Sequence, residues 1–193
     1  MKSKIHEHQK NNLNNVSKKI IITNGLIAGA IVAAFMVYGT IQMNKPDFEP
    51  SMVLGYAGML IAYVFVFLGI KNYRDHHNNG VITFGQGFKI GMLISLIAST
   101  IYVGVWLIEY YCFFPDFMEK FTAMSLKNLD RTTMTAAEIK AKTDEINMYK
   151  EWYKNPIMVI LLTYAEILIP IGLLVPVISA LILKRKATPT ETM

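Results

Sequence analysis

Four stretches of the chain are apolar with little or no charged interruption. Residues 20–44, 50–70 and 90–108 contain no Asp, Glu, Lys or Arg, and 155–183 contains only Glu166. Each is near or above the roughly 18 residues that mark a membrane-crossing helix. Polar residues collect between and outside these runs. The pattern predicts an all-α polytopic membrane protein with four transmembrane helices, at about 20–43, 52–70, 84–114 and 156–183. A small helical extracytoplasmic hairpin is expected between the third and fourth helices. The domain reading is a basic tail at 1–19, a membrane domain at 20–183 that includes an external insert at 115–155, and a second tail at 184–193.

Local signals refine this outline. In the first span Gly25, Gly29 and Ala33 repeat every four residues, and in the second Gly55, Gly58, Ala62 and Gly69 make a similar small face. Such faces let helix backbones approach. Packing within one chain and self-association are both open readings for Gly25, Gly29, Gly55 and Gly58. Before the third span, Thr83 and Gln86 have the spacing of a capping box. From 84 to 114 that helix would be on the order of 46 Å long, more than a hydrocarbon core of about 30 Å. Its first turns therefore belong at the interface, where Lys89 can snorkel to water. Ser95, Ser99, Tyr102, Trp106 and Glu109 fall on one face of the same helix and are expected to point into the bundle.

Two short helices are expected in the insert. Asp116 with Glu119 and Thr135 with Glu138 have capping-box spacing, with a turn at 130–134 between the helices. Ile139, Ile146, Tyr149 and Tyr153 form a stripe whose nearest candidate partner is Phe117, Phe121 and Met124. Tyr110, Tyr111, Trp152 and Tyr153 suit an outer aromatic belt. The last span opens with Asn155 as N-cap and Pro156 at the first helical position, where its missing N–H costs nothing. Pro170 and Pro176 release the carbonyls of Glu166 and Gly172 and predict a bend.

Composition narrows the function classes. Of 193 residues, 53% are hydrophobic and 17% charged, against about 25% charged in soluble domains. This excludes a soluble globular enzyme, a secreted disulfide scaffold and a disordered chain. The net charge of +5 comes largely from clusters flanking the apolar runs: Lys2, Lys4, Lys10, Lys18 and Lys19 before the first, and Lys184, Arg185 and Lys186 after the last. These clusters suit anionic lipid head groups, so the bilayer is the expected partner and nucleic acid is not. With Lys71, Arg74 and Lys89 in the second loop, the positive-inside rule places both termini in the cytoplasm. The third loop balances seven basic against seven acidic residues and carries little topological signal. The first apolar run is too long for a signal-peptide core and reads as an uncleaved span. The single Cys112 excludes an internal disulfide.

Glu166 is the most informative candidate residue. It lies about ten residues inside its span, near mid-bilayer, where a carboxyl is costly and usually faces a bundle interior or a wet cavity. One reading is a cation or proton site, with Thr163 and Tyr164 supplying hydroxyls. The other is a protonated, hydrogen-bonded acid that stabilises packing. Glu109 sits shallower, and the two carboxyls could form a relay without having to face each other. Among the polar positions of the third span, Tyr102 and Ser99 are further intramembrane candidates. His6, His8, His76 and His77 read as solvated tail and loop residues, so neither a metal nor a cofactor is expected. Gly85 and Gly87 lack the strand and the Gly-Lys-Ser/Thr of a phosphate loop. No nucleophile, base and orienting group have usable spacing, so no enzyme class is expected.

Several of these residues together suggest a family. They are Tyr73-Arg74-Asp75, Gly80, the run from Ile82 through Thr83, Gly85, Gln86 and Gly87 to Phe88, Gly91, Pro115-Asp116-Phe117, the Thr135 to Ile139 segment, and Asn155-Pro156 ahead of Glu166. The chain resembles domain-of-unknown-function family 4199, small four-span bacterial membrane proteins. The resemblance implies a multi-pass protein of the bacterial cytoplasmic (inner) membrane and supplies no activity, ligand or catalytic residue. Two functions then stand as expectations. One is a non-enzymatic accessory or interaction protein that binds itself or other membrane proteins. The other is a small oligomeric transporter or channel subunit centred on Glu166. Arg74 is expected to bind lipid phosphate or to cap the second span, and Arg74 and Asp75, though adjacent, need not pair.

Overall fold

The computed structural model describes residues 2–42, 52–129 and 133–186, and within them gives side chains from residue 15 onward except at Met52 and Leu54. The first loop, 45–49, and most of the 130–134 turn lie outside the described residues. Seven α-helices are described: α1 (Lys2–Gln42), α2 (Met52–Asn72), α3 (Phe84–Ile108), α4 (Phe117–Lys127), α5 (Ala136–Trp152), α6 (Pro156–Ile167) and α7 (Leu174–Leu183). Three π-helical turns join or extend them, at Tyr73–His77, Glu109–Phe113 and Leu168–Leu173. Among the described residues, β pairing is limited to one isolated antiparallel bridge between Ile82 and Arg185.

Four continuous helical stretches are long and apolar enough to cross a membrane: Asn15–Gln42, Gly55–His77, Phe84–Phe113 and Pro156–Leu183. The protein is all-α, and these stretches are those of a multi-pass membrane protein. Helix α1 also runs back through the basic tail to Lys2. Lys, Gln and Glu extend an established helix at little cost, because their straight side chains lose little freedom in it. The last span is α-helical up to Ile167, takes π spacing at Leu168–Leu173 and returns to α in α7. Pro170 lies inside the π turn. There its missing N–H is absorbed by a wider hydrogen-bond spacing. Pro176 is buried within α7, in regular helix.

The chain divides into two compact units, with the divisions falling inside α3 and α6. The first comprises Met1–Tyr102 and Glu166–Met193. Its core joins Ile20 and Val32 of α1, Tyr63, Val66 and Ile70 of α2, Ile90 and Ile94 of α3, and Ile167, Ile171 and Leu183 of the last span. Glycines set the helix spacing. A Cβ on Gly25 would lie 2.7 Å from Ile97, and one on Gly29 would lie 2.5 Å from Ile101. A Cβ on Gly58 would meet Phe35 at 2.7 Å, and one on Gly91 would meet Pro176 at 2.9 Å. The small faces of α1 and α2 therefore pack inside the chain. Gly55 departs from its expected packing role: nothing lies within 4 Å of where its Cβ would be.

The second unit is Val103–Ala165. Trp106 meets Phe117 edge-on at 4.7 Å, and Tyr110 meets Tyr153 at 5.5 Å. The Tyr110 hydroxyl donates to the Tyr153 carbonyl at 3.4 Å. Helices α4 and α5 pack together, yet no residue of α5 is buried, so the Ile139–Tyr153 stripe is only partly covered. The Thr135–Glu138 capping box is complete, with both reciprocal bonds formed. The expected Asp116–Glu119 box is absent. The Asp116 backbone is not extended as an N-cap requires, and its carboxylate pairs with Lys120 at 2.8 Å. That ammonium holds the Asp116 carboxyl below its usual range.

Candidate functional site

The burial of the last span follows one stripe. Val159, Thr163, Ile167 and Ile171 recur every four residues and are all buried. Glu166 is one residue behind Ile167, about 100° round the helix, and is exposed. It follows Val159 by seven residues and Thr163 by three within α6, which places it beside that buried stripe. Leu161 at 56%, Ile169 at 66% and Leu173 at 44% are other exposed positions of the same span. Among the described residues none makes a hydrogen bond or ion pair with the Glu166 carboxyl. The Thr163 hydroxyl points elsewhere and donates to Val159 of its own helix at 2.7 Å. Tyr164 is half-buried.

Glu109 is the opposite case. It is buried, 6% exposed, and begins the π turn Glu109–Phe113. Its backbone carbonyl accepts from the Phe114 N–H at 2.8 Å. Ser95, Ser99, Tyr102 and Trp106, the rest of that polar stripe, are buried as well. Ser99 has a partner that the sequence reading missed: its Oγ lies 3.2 Å from the hydroxyl of Tyr63, which is fully buried on α2. The available signal was a phenol inside an otherwise uncharged span, since a buried Tyr hydroxyl seeks a partner. The Ser95 Oγ and Trp106 Nε1 are buried with no hydrogen-bond partner among the described residues. Cys112 is exposed. Among the described residues no three His, Cys, Asp or Glu side chains are grouped so as to hold a metal ion.

The turn between α2 and α3 gathers most of the remaining candidates. Arg74, in the π turn that follows α2, bonds through Nε to Asp75 Oδ1 at 2.6 Å, so the adjacent pair does close. Its Nη1 donates to the Leu183 carbonyl at 3.3 Å. Arg74 thus caps the last span and not the second, a correction that needs the tertiary fold. Asn79 and Gly80 take positive φ, 52° and 72°, and turn the chain back. The Gly80 N–H then reaches the Arg74 carbonyl at 2.8 Å, and Asn78 Nδ2 reaches the Val81 carbonyl at 2.6 Å. Ile82, 1% exposed, exchanges two backbone bonds with Arg185 at 3.0 and 2.9 Å. The Thr83–Gln86 capping box forms next: Gln86 Oε1 accepts from the Thr83 N–H, and Thr83 Oγ1 accepts from the Gln86 N–H. Gly87 lies close to Ala180, with 3.2 Å available to a Cβ. The motif residues at this turn therefore hold the end of α7 and the start of α3 to the end of α2.

No curated protein and no solved structure matches the chain. The motif run that builds the α2–α3 turn, the last three apolar stretches, most of the first and the carboxyl of the last span lie within one family match. The model described as a protein of unknown function (DUF4199) matches residues 23–185, most of the chain, and the protein belongs to that family.

Proposed function

We propose that this chain is a non-enzymatic accessory or interaction protein of the bacterial cytoplasmic membrane, with both termini and the α2–α3 turn in the cytoplasm. The observation that carries the reading is the exposure of Glu166 on a helix apolar enough to span a bilayer. Hydrocarbon offers a carboxyl no hydrogen bonds, so such a group is favoured only against protein or water. A surface that needs another molecule to cover one polar group is an interaction surface. The orientation rests on Lys71, Arg74 and Lys89 in the second loop and on the basic clusters at both ends. In the alternative reading, a small oligomeric transporter or channel subunit, Glu166 would be the intramembrane carboxyl of the path.

A membrane-soluble carbodiimide tests the reading in native membranes, with the modified residue located by mass spectrometry. Protection of Glu166 is the expected result. Full reaction would mean that lipid alone surrounds it, and the interaction reading would fall. Proton or cation flux that depends on Glu166 in reconstituted vesicles would favour the transport reading.

A further inference from the structure

We infer that the joint between α2, α3 and the end of the last span is a binding site for the phosphate of an anionic phospholipid, held by Lys71, Lys184, Arg185 and Lys186. The site stands on residues other than Glu166 and does not depend on what covers that carboxyl. In the sequence its basic residues fall into two separate clusters; Arg74 and Leu183 are 109 residues apart. The fold merges the two. Arg74 Nη1 donates to the Leu183 carbonyl at 3.3 Å, and Lys71 lies about one helical turn before Arg74. Lys184 leaves the helix with φ −55° and ψ 130°, and Arg185 then exchanges two backbone bonds with Ile82 at 3.0 and 2.9 Å. The segment after α7 is thereby tied to the joint. Tyr73, Ile82 and Leu183 are buried together in the core of the first unit and fix the backbone that carries these cations.

The charge at this joint is one-sided. Among the Lys, Arg, Asp and Glu of residues 71–83 and 183–186, Lys71, Arg74, Lys184, Arg185 and Lys186 stand against Asp75 alone. Asp75 is already bound to Arg74 at 2.6 Å, and Lys71 adds only a longer-range attraction to it. Lys71, Lys184, Arg185 and Lys186 are exposed, and among the described residues none of their side chains makes an ion pair. A polyanion can therefore meet them without displacing anything. Arg185 can fork two N–H bonds onto phosphate oxygens, and the ammonium groups add charge.

Depth selects a lipid as the source of that phosphate. Lys71 lies near the end of the second apolar stretch, which closes at His77, and Lys184 directly follows the last residue of the fourth. The cations thus stand where a span meets the head groups, and basic residues there are drawn to anionic lipid. Leu68, Leu181 and Ile182, exposed at 42%, 47% and 66%, lie within a turn on the membrane side of them and suit acyl chains. A soluble anion would leave that apolar surface unused.

The test uses the full-length protein in phosphatidylcholine vesicles with a trace of spin-labelled phosphatidylglycerol or spin-labelled phosphatidylcholine. Electron paramagnetic resonance reads the fraction of label held by the protein, and preference for phosphatidylglycerol is expected. Lys184→Gln with Arg185→Gln should weaken its association about tenfold. Lys140→Gln with Lys142→Gln, which removes the same charge from exposed positions of α5, should leave it unchanged. A Gly-Gly-Ser insertion between Leu183 and Lys184 keeps every charge but unties the cluster from Ile82, and should weaken association as well. Circular dichroism shows that each variant is folded, and if the insertion is not, the two charge variants decide. No preference in the parent protein, or an equal loss in the α5 variant, overturns the site. A folded insertion variant that binds like the parent would show that a loose basic tail suffices, and also overturns it. Millimolar glycerol phosphate should not displace the labelled lipid; displacement would assign the site to a soluble phosphate compound and overturn the lipid.

Discussion

At the turn between α2 and α3, the polar groups are met from within the chain. Arg74 reaches Asp75 and the last carbonyls of the final span, Thr83 and Gln86 cap each other, and Ile82 and Arg185 exchange backbone bonds. At Glu166, in that same final span, the described residues supply no hydrogen-bond or ion-pair partner. The first region is a finished joint, and the second holds a polar group that its own chain leaves unmet. The difference teaches where to look for function. A polar group satisfied internally explains its own presence, whereas an intramembrane carboxyl that its chain leaves exposed points to a missing neighbour.

The comparison can be broken most forcefully through the glycines that hold the first unit together. Gly29→Leu should abolish or nearly abolish folded protein, because even a Cβ would stand 2.5 Å from Ile101 and overpacking costs about 1–3 kcal/mol or more. Gly55→Leu, made into open space, should leave the yield and melting temperature unchanged. Detergent-solubilised yield by size exclusion reads both, and equal losses at the two sites would refute internal packing as the role of the α1 face.

Arg74 comes next. Arg74→Ala removes the bond to Asp75 and the cap on Leu183, and should cost about 1–2 kcal/mol of stability. Arg74→Lys should recover only part of this, since an ammonium cannot fork between the two sites. An unchanged melting temperature in Arg74→Ala would show that the joint is held by its apolar contacts alone. A smaller effect, about 0.6 kcal/mol, is expected for Tyr63→Phe, which deletes one interhelical bond to Ser99 and keeps the ring. Thermal unfolding of that variant against Ser99→Ala and the double mutant isolates the pair.

The smallest expected effect lies in the second unit. The Glu138 carboxyl is held below its usual range by the Thr135 N–H first and the Thr135 hydroxyl second. A folded-state pKa below the unfolded one means that the helix gains stability above the unfolded value. That gain is lost as pH falls through the folded value. Acidification below the usual carboxylate range should therefore fray the first turn of α5, and Glu138→Gln should make the fraying insensitive to pH. Backbone chemical shifts of Thr135 to Ile139 follow it residue by residue, and a first turn indifferent to pH in the parent protein would show that the box contributes nothing there.

Parts of these two regions were legible before any coordinates. The Thr83–Gln86 and Thr135–Glu138 boxes depend on three-residue spacing, and local spacing is what a sequence displays directly. The Asp116–Glu119 spacing is formally as good, yet Lys120 one turn away competes for the same carboxylate and wins. The Arg74–Leu183 contact joins residues 109 apart, and no local pattern encodes it. The Tyr63–Ser99 bond is equally non-local, and of its two partners only Ser99 stood out in the sequence, as part of the polar stripe of the third span.

Hydropathy and length by themselves determined four spans, an all-α class, the place of the capping signals and the presence of one carboxyl deep in the last span. Those features follow from helix length against bilayer thickness and from contacts within one helical turn. Which side of each span faces its neighbours was decided only by the tertiary structure. In a soluble helix the apolar stripe marks the buried side, but in a membrane the lipid is as apolar as the core, so hydrophobicity cannot tell inside from outside. Close packing made that choice, setting glycines against Ile97, Ile101 and Pro176 and turning Ile167 inward.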